Sequence, residues 1–127
     1  MKGFRGLKVW QEGKELAVEI YKITQKGAFY RDFSLKDQIR RSGVSFPSNI
    51  AEGDERETNR EAVRFFYMAK GSLAELQTQL EIAFEIGYID EATFRQLDEK
   101  CASLGKKLGS LIKYRSKGNG RKERGNG

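Results

Sequence analysis

Residues 58–87 read TNREAVRFFYMAKGSLAELQTQLEIAFEIG and carry the strongest structural signal in the chain. Thr58 and Glu61 form a capping-box pattern at the start of this stretch, and Gly87 is a typical helix terminator. Between them, apolar or small residues recur in alternating steps of four and three, which places them along one helix face. These positions are Ala62, Phe66, Ala69, Leu73, Leu76, Leu80, Ala83 and Gly87. The stretch therefore predicts a long amphipathic helix.

The same spacing returns after the short link GYID, residues 87–90, in which Asp90 is a suitable N-cap. The repeating apolar positions there are Phe94, Leu97, Cys101, Leu104, Leu108 and Leu111. Because the link is short, the two helices must turn back on each other. We therefore predict an antiparallel hairpin of two long helices.

Upstream, residues 34–53 keep a helical apolar pattern on both sides of Pro47, the single proline of the chain. Proline removes a backbone donor and crowds the carbonyl four residues earlier, here that of Gly43, which has no side chain in the way. We therefore expect one helix with a bend at Pro47, capped by Ser34 and ended by Gly53.

A further amphipathic pattern covers Leu7–Thr24, so the chain holds four predicted helices with short connections. This predicts an all-α fold, an antiparallel up-down-up-down four-helix bundle over residues 1–114. Residues 115–127, RSKGNGRKERGNG, cannot bury a core, and we expect them to form a disordered basic tail.

The helix over residues 58–87 has more apolar surface than one core needs. Its off-seam residues include Phe65, Tyr67, Met68, Ile82 and Ile86. A second hydrophobic face of this kind predicts self-association, and Phe65, Met68, Ile82 and Ile86 are its candidate subunit contacts. The alternative is that these off-seam residues widen the apolar stripe that packs into the core of a single bundle, without self-association.

Polar residues near Pro47 form a second candidate group. Arg40 lies beside the apolar arc, where an arginine is expected to pair with a carboxylate or to face a partner molecule. Arg40 or Arg41 is the natural ion-pair partner for Glu52. We expect Asn49 and Glu52 to form hydrogen bonds at the Pro47 bend or across a subunit contact.

The composition argues against enzyme chemistry. The chain has no histidine, the commonest acid–base residue and metal ligand, and Cys101 is its one cysteine, expected in the core. Ser45, Asn49 and Glu52 lie close together on one helix, but without a histidine or a metal cluster a catalytic role is disfavoured. We expect no enzyme activity, no cofactor and no metal. The sequence has no membrane-spanning or signal-peptide pattern, which predicts a cytoplasmic protein.

The net charge of +6 is concentrated at the C-terminal end. Arg115, Lys117, Arg121, Lys122 and Arg124 stand against Glu123 alone, and Lys106, Lys107 and Lys113 precede them. Basic, glycine-rich arms often bind nucleic acid, so these eight cations are the predicted phosphate contacts. The alternative is a tail that only improves solubility.

The segment around Pro47 also resembles a known sequence signature. QIRRSGVSFPSNIAEG, residues 38–53, resembles the signature of a four-helix bundle family first associated with intervening sequences in bacterial 23S ribosomal RNA genes. The usual pattern there is close to Gln-Leu-Arg-Arg-Ala followed by Ser-Ile-Pro-x-Asn-Ile-Ala-Glu-Gly. The match extends to FRGLKVWQEGKELAVEIYKIT, residues 4–24, and EAVRFFYMAKGSLAELQTQLEIAFEIGYI, residues 61–89. Ser42, Gly43 and Phe46 depart from the pattern, and the basic tail lies outside it.

The resemblance implies a bundle that assembles as a ring, commonly a pentamer. Relatives of that family include the accessory variability determinant of diversity-generating retroelements, a basic ring that binds a reverse transcriptase and its template RNA. We therefore predict a non-enzymatic, oligomeric adaptor that binds structured RNA and serves a retroelement reverse transcriptase. The alternative is a protein-interaction scaffold with no nucleic-acid role.

Overall fold

The computed structural model describes residues 3–118, and this part of the chain contains five α-helices, one short 3-10 helix and no strand. The prediction of an all-α protein is confirmed. The 3-10 helix spans Gly3–Gly6, and the α-helices are α1 Lys8–Ile23, α2 Gly27–Arg31, α3 Phe33–Asp54, α4 Asn59–Glu85 and α5 Glu91–Ser116.

The four long helices pack in a cycle in which α1 contacts α3 and α5, and α4 contacts α3 and α5. Residue pairs across these contacts show the helix directions. Lys100 and Lys107 of α5 pair with Glu19 and Glu12 of α1, so the residue numbers rise on one helix as they fall on the other. Helices α1 and α5 therefore run antiparallel.

The core confirms the apolar pattern of the sequence. All seven helical seam positions of α4 from Ala62 to Ala83 are buried, as are Leu97, Cys101, Leu104 and Leu108 of α5. They pack with Leu16 and Ile20 of α1 in one continuous cluster. Because every long helix contributes to this cluster, burial of its apolar side chains is the main force that holds the helices together.

Two glycines allow close approach between helices. A Cβ on Gly13 of α1 would lie 2.8 Å from the Phe46 ring, and one on Gly53 of α3 would lie 2.7 Å from the Phe66 ring. The expectation that Gly53 ends its helix is wrong, because α3 continues to Asp54. Gly53 serves helix packing instead.

The start of α3 also differs from the prediction. Asp32, not Ser34, caps the helix, with its Oδ1 accepting a hydrogen bond from the Leu35 backbone N–H at 3.1 Å. The other carboxylate oxygen of Asp32 accepts a hydrogen bond from the Tyr88 hydroxyl at 2.9 Å, which raises the pKa of Tyr88. Since Tyr88 follows α4, this contact was not readable from the local pattern around Ser34.

Helix α3 is continuous through Pro47, as predicted, and Pro47 is buried within it. The bend at Pro47 stays a prediction. The connection before α3 contains the short helix α2, which the sequence did not indicate, and Gly27 at its start has a φ of 68°. Helix α5 reaches Ser116, two residues past the expected bundle boundary at residue 114.

Candidate nucleic-acid interface

The second half of α5 has an unusual charge distribution. No aspartate or glutamate occurs between Lys100 and Lys122, whereas lysine or arginine occurs eight times over that range. In the part that the structure describes, the helix ends at Ser116 and Gly118 follows with a φ of 84°. The helix C-terminus is itself a favourable place for cations because backbone carbonyls are exposed there.

Lys106 and Lys113 are exposed on the side of α5 that faces away from the core, and Lys117, the C-cap residue, is exposed directly after the helix. At about 100° per residue, their directions fall within an arc of about 40°. None of the three side chains forms an ion pair or hydrogen bond within residues 3–118. These three residues, named here the α5 lysine face, are therefore available to an anionic partner.

Lys107 has a different environment. Its ammonium donates hydrogen bonds to Glu12 Oε1 of α1 and, at 3.4 Å, to Ser103 Oγ. Glu15 and Glu19 line the same groove between α1 and α5. Lys107 therefore connects two helices beside three carboxylates, a setting that disfavours phosphate.

Arg115 must be removed from the predicted phosphate contacts. Its side chain is 2% exposed, and its Nη1 lies 3.3 Å from Oδ1 of Asp54, which is also 2% exposed. Its Nε donates a hydrogen bond to Asn59 Oδ1. The three side chains, named here the Arg115 cluster, join the end of α5 to the end of α3 and the start of α4.

The burial of Arg115 could have been predicted from the apolar spacing of α5. The apolar steps of α5 run through Leu104, Leu108 and Leu111, and the next step of four reaches Arg115. The same spacing that predicts the core therefore directs Arg115 inward. The predicted contacts Arg121, Lys122 and Arg124 lie outside the described residues and stay predictions.

Comparison with known proteins gives the relationship. The model of the 23S rRNA-intervening sequence protein family matches residues 5–110, which is most of the chain. The chain belongs to this family. A solved relative is a protein of unknown function from the S23 ribosomal protein family of Bacteroides thetaiotaomicron, with 26% identity and a TM-score of 0.76. The match covers 83% of this chain and 98% of the relative. No curated protein matches.

In this member of the 23S rRNA-intervening sequence protein family, the arginines of the signature have separate roles. Arg40 does not pair with a carboxylate of residues 3–118. Its Nε donates to Thr24 Oγ1 at 2.8 Å, and its guanidinium lies 4.3 Å from the centre of the Tyr21 ring. Arg41 is exposed. The pairing of Glu52 with Arg40 or Arg41 is wrong, because Glu52 pairs at 3.0 Å with Arg56, two residues past the end of α3.

Asn49 lies half-buried where α3 borders α4. Its amide donates to the Ser45 carbonyl at 3.0 Å and lies 3.1 Å from Ser45 Oγ. Ser45 Oγ in turn lies 2.8 Å from Ser72 Oγ on α4. Asn49 thus forms hydrogen bonds within one turn of Pro47, and this polar network ties the family signature to α4.

The candidate subunit contacts on α4 divide into two groups. Met68, Ile82 and Ile86 are about half exposed and share one side of the helix. Phe65 is half-buried under the Arg56 guanidinium, which lies 4.3 Å from the ring centre. We name Met68, Ile82 and Ile86 the α4 apolar face. Met68 and Ile86 are about 27 Å apart along the helix at 1.5 Å per residue.

The remaining chemistry of the described residues is sparse. Burial, together with the charge of Asp98, raises the pKa of the Cys101 thiol to about 12, so the thiolate needed for nucleophilic attack is suppressed at neutral pH. Among residues 3–118 there is no group of three metal-ligating side chains. None of the helices described could cross a membrane.

Tyr114 is an exposed aromatic residue of α5 that the sequence reasoning did not single out. Its side chain is 50% exposed and it lies in the same helical turns as the α5 lysine face. The signal for it was an aromatic residue between two basic residues, Lys113 and Arg115.

Proposed function

We propose that this protein is a non-enzymatic adaptor that binds RNA through the α5 lysine face. The observation that carries the proposal is the exposure of Lys106, Lys113 and Lys117 on one side of a helix segment without carboxylates. Unpaired ammonium groups in that arrangement attract phosphates and release their counterions on binding. Such contacts position an RNA without reading its bases.

We also propose that the four long helices form the up-down-up-down bundle and that bundles assemble into a ring, with five copies as the leading case. The α4 apolar face supports self-association, because Met68, Ile82 and Ile86 are about half exposed and a contact that covers them would remove apolar surface from water. A five-fold ring of chains carrying +6 each would hold a charge of roughly +30, which favours a polyanionic ligand.

The resemblance to the accessory determinants of diversity-generating retroelements supports a more specific version. In that version the ligand is a structured template RNA and the second partner is a reverse transcriptase. The cytoplasm, where such RNA is made in bacteria, is the corresponding location. The α5 lysine face and the predicted tail cations would then act together on the RNA.

The test is RNA binding by fluorescence anisotropy at about 50 and 200 mM salt. The variant Lys106→Gln/Lys113→Gln/Lys117→Gln removes the α5 lysine face. The control Lys22→Gln/Lys26→Gln/Lys70→Gln removes three exposed lysines elsewhere and so loses the same charge. A chain ending at Gly118 measures the tail contribution while it keeps the Arg115 cluster.

We expect the wild-type affinity to fall roughly tenfold or more between the two salt concentrations. The α5 variant should bind weakly, with a salt dependence reduced by roughly three contacts, and the control should bind almost as well as wild type. Equal losses in the two variants would show that net charge alone attracts RNA. No binding by any form would overturn the proposal.

A protein-interaction scaffold is the second candidate, because the α4 apolar face fits a protein surface better than it fits RNA. It predicts that removal of the α5 lysine face and of the tail leaves partner binding unchanged.

A further inference from the structure

The exposed aromatic side chains of this protein are, with one exception, covered by cations of the same chain. Arg40 lies over Tyr21 at 4.3 Å, and Lys70 lies 5.8 Å from Tyr67. Lys36 lies over Tyr30 at 4.0 Å and over Phe33 at 4.6 Å. The exception is Tyr114, whose ring has no cation, aromatic or hydrogen-bond partner within residues 3–118.

Tyr114 is half exposed and lies close to two members of the α5 lysine face. Helical side chains lean toward the residues three and four positions earlier, which here are Leu111 and Ser110. Lys117 follows Tyr114 by three positions on the neighbouring strip of helix surface. An uncovered ring therefore stands beside unpaired ammonium groups.

This pairing of a stacking surface with phosphate-binding cations is the arrangement that binds unpaired nucleotides. Aromatic rings stack on bases that are splayed out, and nearby lysines hold the backbone. A duplex keeps its bases stacked inside and offers only phosphates and sugars to such a face. Lysines contact the phosphates of single-stranded and double-stranded RNA alike. The preference for single-stranded RNA therefore comes from the ring of Tyr114.

We propose that Tyr114 is a base-stacking platform and that the α5 lysine face takes a single-stranded segment of RNA, such as a loop of a folded molecule. This inference rests on the proposed RNA-binding function and names its ligand class. The phosphates on either side of the stacked base lie against Lys113 and Lys117.

The test measures anisotropy of one labelled RNA strand of mixed sequence, alone and annealed to its complement, with the full chain. The variants are Tyr114→Ala, Tyr114→Phe, which keeps the aromatic ring, and Tyr67→Ala, which removes an exposed tyrosine from a different side of the molecule. Circular dichroism confirms that each variant is folded, which we expect because both tyrosines are exposed.

We expect Tyr114→Ala to weaken binding of the single strand roughly tenfold and to leave the duplex unchanged. Tyr114→Phe and Tyr67→Ala should match wild type. If Tyr114→Ala binds the single strand normally while the triple lysine variant does not, the stacking proposal is overturned and the RNA-binding function stands. If no form binds either RNA, the function itself fails.

Discussion

At the scale of single residues, Gly53 shows how closely α3 approaches α4. A Cβ there would lie 2.7 Å from Phe66 Cε1 and 2.9 Å from the Ala62 carbonyl oxygen. Gly53→Ala should therefore lower the free energy of unfolding by about 1–3 kcal/mol, because a ring and a main chain must move. Urea denaturation followed by circular dichroism measures this change.

The matched control is Gly71→Ala, at an exposed helical glycine whose added methyl group would meet nothing within 4 Å. It should raise the free energy of unfolding by about 0.5–1 kcal/mol through helix propensity. A Gly53→Ala variant that is stabilised to the same extent would contradict the packing role of Gly53.

At the scale of helices, the sequence best predicted the features that depend only on local pattern, namely the buried face of a helix and its N-cap. The seam from Ala62 to Ala83 is buried as predicted, and the caps at Thr58 and Asp90 form as expected. The prediction failed at the start of α3. Asp32, itself a favoured N-cap residue, replaces Ser34 as the cap, and its second carboxylate oxygen accepts a hydrogen bond from Tyr88, 56 positions away in the sequence.

The end of α5 is held by the Arg115 cluster. Because Arg115 and Asp54 are both 2% exposed, Arg115→Ala should destabilise the protein by about 3–5 kcal/mol by removing the cation beside a buried carboxylate. Thermal unfolding measures this loss. Lys113→Ala, two positions away and exposed, should stay within about 0.5 kcal/mol of wild type. Equal stability of the two variants would mean that the cluster does not secure the helix.

At the scale of the whole molecule, the α4 apolar face predicts an assembly. Ile82→Lys/Ile86→Lys should shift the protein to a smaller species in sedimentation velocity, because charged side chains in an apolar contact are costly to desolvate. The control Gln96→Lys/Ala102→Lys adds the same charge at two exposed residues of α5 and should leave the species unchanged. A wild-type monomer, or an unchanged size for the double variant, would contradict self-association.

The candidate interface also shows the limit of sequence reasoning at this scale. The α5 lysine face is exposed as a run of cations suggests, but Lys107 and Arg115 are held by Glu12, Asp54 and Asn59. These partners lie on α1, α3 and α4. Only the three-dimensional structure therefore shows which cations are paired within the protein and which are exposed to a ligand.

The contacts at the two ends of the described chain have a consequence for connectivity. A Cβ on Gly3 would lie 3.5 Å from Glu55 Oε2, while Arg115 lies 3.3 Å from the neighbouring residue, Asp54. The first and last helical segments thus converge on the same corner of the molecule. A short linker can join residue 118 to residue 3, and the exposed turn at Gly87 can be opened in its place. The resulting circular permutant, in which α5 precedes α1, should keep the same helix packing.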